Sequence, residues 1–114
     1  MGEDAMRWAW ALAMGAGVAG AAEGWAPAAD VAALLAGRSV AYAGAQQSFR
    51  ADGGTTYVAS RPTEGAWEVR DGRYCSVWPP ATRWVCYDVE VSGDGARVRF
   101  VTEAGDVTEG TFRE

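Results

Sequence analysis

The stretch GRYCSVWPPATRWVCYDV, residues 72–89, decides the fold of this chain. It holds both cysteines of the protein, two of its six tryptophans and two of its four prolines. This cluster of cysteine, tryptophan and proline has two possible interpretations: a catalytic or metal-binding site, or a disulfide-stapled hairpin with an aromatic loop. The neighbouring residues bear on this question, because they set the strand register in which the cysteines lie.

Hydrophobic and polar residues alternate through this region, as in strands with one buried face. If Asp71-Gly72 forms a two-residue type I′ turn, Val69 pairs with Tyr74. If Cys75 pairs directly with Cys86, the same alternation continues into the next strand. The two assumptions are independent of each other, and together they predict a three-stranded antiparallel unit.

A third assumption, a two-residue turn at Gly93-Asp94, pairs Val89 with Val98. The three registers agree on the faces, with opposite charges across strands, as a one-sided sheet requires. The predicted inner face holds Trp67, Val69, Tyr74, Val85, Tyr87, Val89, Val98 and Phe100. The predicted outer face holds Glu68, Arg70, Arg73, Asp88, Glu90, Arg97 and Arg99, together with the two cysteines.

Short strands separated by Gly, Pro and Asp turns indicate an antiparallel meander, either a small barrel or a strongly curved sheet. The final strand puts Val107 and Phe112 on opposite faces unless Gly110 marks a bulge. The predicted strands are residues 39–42, 46–50, 55–60, 66–70, 73–78, 83–91, 96–101 and 107–112.

Residues 26–38, APAADVAALLAGR, predict one short helix before the strands. Asp30 is a suitable N-cap and Gly37 suits the position after the helix ends. Val31, Leu34 and Leu35 would form its apolar stripe. We expect this helix to cover one end of the core.

The N-terminal residues 1–21 are typical of a secretory signal peptide. No charge occurs from residue 8 to residue 22, and Ala19-Gly20-Ala21 has the small-x-small pattern of a cleavage site. Glu3 and Asp4 make the start acidic, so we predict Met6 as the true first residue. The mature chain, residues 22–114, would be one periplasmic or secreted domain that meets the membrane only through its signal peptide.

The composition excludes several classes of function. Without Glu3, Asp4 and Arg7 the chain has 13 acidic residues and nine arginines, so nucleic acid is not expected as a partner. Histidine is absent, which excludes Ser-His-Asp and Cys-His catalysis and histidine-containing zinc sites. The sequence indicates no cofactor, no metal site and no catalytic residues.

Two cysteines eleven positions apart suit a disulfide, two free thiols or half of a metal site. The expected export favours a disulfide, because exported proteins meet an oxidising compartment. The spacing is also not the C-x-x-C of redox-active pairs. We therefore predict a structural disulfide between Cys75 and Cys86.

The loop between the cysteines is the best candidate for a binding surface. Pro79-Pro80 stiffens it, and Trp78, Arg83 and Trp84 flank the prolines. An outward tryptophan beside an arginine on a rigid loop is typical of binding surfaces. The alternative is that Trp84 covers the disulfide and Trp78 caps the core.

Four short motifs carry a resemblance to other proteins. They are F-x-x-D-G at residues 49–53, G-x-W at 65–67, Y-C-x-x-W at 74–78 and C-Y at 86–87. Over about residues 37–112 the chain resembles small exported proteobacterial proteins of unknown function. The resemblance implies export and a β-rich fold, and it implies no activity.

These observations predict a non-catalytic exported binding module, stabilised by one disulfide, whose ligand is unknown. The first hypothesis is a small apolar ligand inside a barrel. The alternative is a protein-interaction module, such as an inhibitor of an envelope or secreted enzyme, that acts through the Trp78–Trp84 loop. An enzyme that uses carboxylates or tyrosine is the third. An apolar cavity of at least ~300 Å³ would favour the first hypothesis.

Overall fold

A computed structural model describes residues 24–113, and the signal peptide and the Met6 start predicted above lie outside this range. Within it no helix is long and apolar enough to cross a membrane. The described part contains the following elements: β1 (Trp25–Pro27), α1 (Val31–Leu35), β2 (Arg38–Tyr42), β3 (Ala45–Phe49), β4 (Gly54–Val58), β5 (Pro62–Arg70), β6 (Arg73–Val77), β7 (Val85–Ser92), β8 (Arg97–Val101) and β9 (Val107–Arg113).

Strands β2 to β9 form a closed eight-stranded antiparallel barrel. Each strand pairs with the next along the chain, and β9 returns to pair with β2. The short β1 is an additional strand on β7, where it pairs with residues 90–92. The predicted mainly β meander is confirmed, and the pairing of β2 with β9 shows that it is a barrel.

The registers on both sides of β6 are those predicted from the sequence. Val69 pairs with Tyr74 across the β5–β6 turn, and Cys75 pairs with Cys86 between β6 and β7. Asp71 and Gly72 have φ values of 51° and 74°, as a type I′ turn requires. On the inner face Tyr74 is buried, whereas Val85 lies near the strand end and is 45 % exposed.

The predicted register between β7 and β8 is wrong by two residues. Val89 pairs with Phe100 rather than with Val98, because residues 93–96 form a longer loop than the two-residue turn expected. The Asp94 carboxylate accepts hydrogen bonds from Ser92 Oγ at 2.6 Å and from a backbone N–H in the loop, and both lower the pKa of Asp94. A shift of two residues keeps every side chain on its predicted face.

Strand β9 contains no bulge. It pairs residue by residue with β8, so Val107 faces outward and Phe112 faces inward. Gly110 lies on the inner face, where an added Cβ would be 2.3 Å from Val40 Cγ1. The glycine therefore allows β9 to approach β2 closely, and this approach closes the barrel.

Helix α1 is shorter than predicted, and β1 was not predicted at all. The predicted caps are correct, since the Asp30 carboxylate accepts a hydrogen bond from the backbone N–H of Ala33 and Gly37 has a φ of 78°. Residues 26 and 27, assigned to the helix from sequence, belong to β1. The Trp25 ring holds β1 against the barrel, because the guanidinium of Arg99 lies over it at 4.1 Å.

The barrel has one packed end and one open end. Val31 and Leu35 of α1 are buried in the core at the end where β2 begins and β3 ends. The opposite end is formed by the β2–β3, β4–β5, β6–β7 and β8–β9 connections. We call this open end the mouth.

The disulfide between Cys75 and Cys86 is present, with an S–S distance of 2.00 Å. Both cysteines lie on the outer face of the barrel, as predicted, and Cys75 is fully buried. A disulfide is consistent with an oxidising compartment.

Removal of the disulfide should destabilise the barrel substantially. The bond closes a loop with a sequence separation of 11, and this closure stabilises the fold by about 3 kcal/mol through chain entropy. The Cys75→Ser/Cys86→Ser variant should therefore melt about 10–20 °C below the oxidised protein. Reductant should lower the melting temperature of the wild type only; equal melting temperatures for the two proteins would contradict the prediction.

Gly110 should tolerate no side chain. In Gly110→Ala the added methyl group overlaps Val40 at the β2–β9 seam, and such overpacking costs about 1–3 kcal/mol. We expect a lower midpoint in urea unfolding. Val107→Ala, at a 53 % exposed position of the same strand, is the matched control and should change the midpoint little.

Candidate functional site

A cavity of about 640 Å³ opens at the barrel mouth. Its walls come from all eight barrel strands and from the β2–β3 and β6–β7 connections, and aromatic rings form much of its surface. The lining residues are Tyr42, Ala43, Gln47, Tyr57, Thr63, Tyr74, Ser76, Trp78, Tyr87, Phe100, Val107, Thr108 and Glu109.

The aromatic residues of the cavity form a continuous arc. Tyr57 lies 6.2 Å from both Tyr42 and Trp78, measured between ring centroids. On the other side, Tyr74 stacks on Tyr87 at 5.7 Å with an interplanar angle of 30°. The arc runs in the order Trp78, Tyr57, Tyr42, Phe100, Tyr87 and Tyr74, and successive centroids are at most 6.5 Å apart.

Trp78 is held at the mouth by two neighbours. Its indole N–H donates a hydrogen bond to Ser76 Oγ at 3.2 Å. Its ring lies against the backbone of Gly65, where an added Cβ would be 2.6 Å from Trp78 Cε3. The glycine of the G-x-W motif therefore gives this tryptophan room to face the cavity.

Gln47 is the polar centre of the cavity floor. Only 6 % of it is exposed, and its Oε1 accepts a hydrogen bond from the Tyr42 hydroxyl at 2.9 Å. Its Nε2 donates to the Tyr74 hydroxyl at 3.0 Å and to Thr55 Oγ1 at 2.9 Å. Thr55 in turn donates to the backbone carbonyl of Ser48 at 2.7 Å. The buried amide thus fixes two of the rings that line the cavity.

Burial raises the pKa of Tyr42 far above its ordinary value of 10.0, and the neighbouring tyrosines Tyr74, Tyr57 and Tyr87 raise it further by charge repulsion. Burial also raises the pKa of Tyr74, against the opposing hydrogen bonds with Ser76 and Gln47. Both hydroxyls therefore keep their protons at neutral pH, and Tyr42 remains a hydrogen-bond donor to Gln47.

The three residues of the predicted binding loop lie on two different surfaces. Trp78 lines the mouth cavity. Arg83 and Trp84 line a separate groove of about 360 Å³ on the outer face, beside Cys86 and Asp106. The Pro79-Pro80 bond between them is cis, and the turn is closed by a hydrogen bond from the N–H of Ala81 to the carbonyl of Trp78.

Trp84 lies beside the disulfide, since it lines the same outer groove as Cys86. The guanidinium of Arg70 is 4.6 Å from the centroid of its ring, and Arg70 also bonds with Glu68. Along the strands, Arg70 lies on one side of the Cys75–Cys86 pair and Trp84 lies on the other. Their contact on the outer face therefore passes across the disulfide. The sequence offered cover of the disulfide as the alternative role for Trp84, and this position favours that alternative.

The cavity differs sharply in charge from the outer face. None of the arginines among residues 24–113 lines it. Glu109 is the one acidic residue among the lining residues, and its carboxylate is 3.0 Å from Arg97 Nη1 and 3.6 Å from Arg99 Nε, both on the outer face. Arg73 and Asp88, which were both predicted on the outer face, form an ion pair there at 3.1 Å.

Protein-family models, curated proteins and solved structures were compared with the chain, and none matched. The resemblance to small exported proteins therefore stays a prediction. Sequence reasoning had missed Tyr42, Gln47 and Tyr57 as site residues. They lie on β2, β3 and β4, outside the strands whose faces the sequence assigned, and nothing in the sequence indicated that this end of the barrel would remain open.

The fold should lose stability above pH 10 because of Tyr42 and Tyr74. Their pKa values are raised in the folded state, so above ~10 the unfolded chain releases protons that the folded chain retains. The free energy of unfolding should fall by up to about 1.4 kcal/mol per pH unit for each tyrosine. Urea unfolding from pH 8 to 11 measures this; Tyr42→Phe should show a shallower decline, and equal slopes would contradict the assignment.

Proposed function

We propose that this protein is a non-catalytic binding module, exported to the periplasm or secreted, that holds a small, largely apolar ligand in its mouth. The observation that carries the proposal is the aromatic cavity of about 640 Å³. Its volume lies within the range of about 300–1,000 Å³ typical of small-molecule sites.

The construction of the cavity supports this proposal. A ligand site needs walls that keep their shape when empty, because ordering flexible side chains on binding weakens affinity. Here Gln47 fixes Tyr42 and Tyr74 by hydrogen bonds, and Ser76 and Gly65 fix Trp78. The site is therefore preorganised, with aromatic faces for an apolar ligand and a few polar groups to orient it.

A protein-interaction module acting through the Trp78–Trp84 loop has less support. The two tryptophans face different surfaces, and Trp84 is engaged by Arg70 over the disulfide. A partner that contacted both tryptophans would have to displace one of them.

The neutral fluorescent probe N-phenyl-1-naphthylamine tests the mouth as a ligand site. We expect saturable binding to the wild type, with a rise in probe fluorescence. Thr108→Trp places a large side chain in the cavity lining and should weaken binding at least about tenfold, which corresponds to ~1.4 kcal/mol.

Thr111→Trp is the matched control. It introduces the same side chain on the same strand, but at an exposed position of the outer face, and should bind the probe like the wild type. Trp84→Leu should also retain binding. An unresponsive wild type, or equal affinities for Thr108→Trp and Thr111→Trp, would refute a ligand site in the mouth.

A further inference from the structure

We infer that the ligand of the mouth cavity is an organic cation, an ammonium group carried on an apolar body, and that aromatic rings rather than carboxylates recognise its charge. This inference rests on the proposed function, because it names the chemical class that the same cavity selects. Three properties of the cavity support the inference: the spacing of its rings, the absence of arginine from its lining and the ion pairing of Glu109 with outer-face arginines.

The ring spacing lets one cation contact several aromatic faces. An ammonium group is attracted to an aromatic face within ~6 Å of the ring centroid. Tyr57 is 6.2 Å from both Tyr42 and Trp78, and it is inclined at 77° to Trp78. A cation over the gap between Tyr57 and either neighbour can therefore lie within ~6 Å of both ring centroids. Tyr57 is 36 % exposed, so this part of the arc faces open solvent at the mouth.

The exclusion of arginine disfavours an anionic ligand. The full chain has ten cationic side chains, all arginine, and a net charge of −5. None of those among residues 24–113 lines the cavity. An anion would enter an electron-rich aromatic surface with no positive group to compensate its lost hydration, which is costly. A cation is instead attracted by the electron-rich aromatic faces. The net negative charge of the protein also raises the concentration of cations near its surface.

Glu109 is not the group that would select the cation. The residue is on the lining, but its carboxylate pairs with Arg97 and Arg99, which lie on the outer face. The buried polar groups on the floor are likewise committed, since Gln47 uses both its amide hydrogens and its oxygen within the protein. The aromatic faces are therefore the main surface of the cavity left to recognise the charge.

Three probes of similar shape separate the contribution of ligand charge to the affinity from the contribution of apolar burial. They are (4-hydroxyphenyl)trimethylammonium, its neutral isostere 4-tert-butylphenol and the anionic 4-hydroxybenzenesulfonate. Calorimetric titration of the folded, oxidised protein should give an affinity for the cation at least about fivefold above that for the neutral isostere, and the weakest affinity for the anion. The preference for the cation over the neutral isostere should persist at 0.5 M salt, because a contact inside a cavity is screened less than the field of surface charges.

Two variants identify the source of the preference. Tyr57→Leu keeps an apolar side chain but removes an aromatic face, so the ratio of cation to neutral affinity should fall about threefold or more. Glu109→Gln should leave that ratio within about twofold, as should the outer-face control Trp84→Leu. A ratio that depends on Glu109 and not on Tyr57 would overturn recognition by the rings.

Equal affinities for the cation and the neutral isostere, tighter binding of the neutral or anionic probe, or no binding of any of the three would also overturn the inference. These outcomes do not decide the proposed function, which the naphthylamine experiment tests separately. If that neutral probe still distinguishes Thr108→Trp from Thr111→Trp, the mouth is a ligand site of another selectivity.

Discussion

The pairing of β2 with β9 is the contact on which the rest of the structure depends. Only Ser39, Val40 and Ala41 of β2 take part, opposite residues 111–113 of β9. Gly110 lets the two strands approach, since any Cβ there would overlap Val40. Closure removes both free edges of the eight-stranded sheet and turns its inner face into one enclosed interior.

That interior is divided by the chemistry of its side chains. At the helix end the interior is an apolar core whose side chains are at most 1 % exposed, formed by Leu35, Val40, Phe49 and Val98. Toward the mouth the interior positions are occupied by tyrosines, whose buried hydroxyl groups need hydrogen-bond partners. Gln47 supplies hydrogen-bond partners for two of these tyrosines. The dense packing of the interior ends at the position of Gln47 along the barrel axis. The cavity begins there because a ring fixed by its hydroxyl group cannot move inward to fill space.

Alternation along the strands predicted most of the barrel, because it reports directly which side chains share a face. The two registers at β6 followed from a type I′ turn and from the cysteines, and both were correct. The β7–β8 register depended on a loop whose hydrogen bonds from Ser92 and Ala96 to Asp94 leave no periodic signal. Strand β1 escaped prediction for a similar reason: stacking of Arg99 on Trp25 holds it in place, and alternation cannot reveal such a contact. The cavity was the least predictable feature, since it depends on how far apart the strand ends lie at the mouth.

The disulfide and the cavity lie on opposite faces of the same two strands, and this links the oxidation state of the protein to its candidate site. Strands β6 and β7 share only three residue pairs, and Cys75–Cys86 is the middle one. The pair on one side of it is Tyr74 with Tyr87, whose stacked rings form one wall of the cavity. The disulfide therefore holds two rings of the ligand site in register across a short seam of the barrel. A reducing compartment would remove this constraint directly behind the cavity wall, so the expected export and the proposed binding role depend on the same covalent bond.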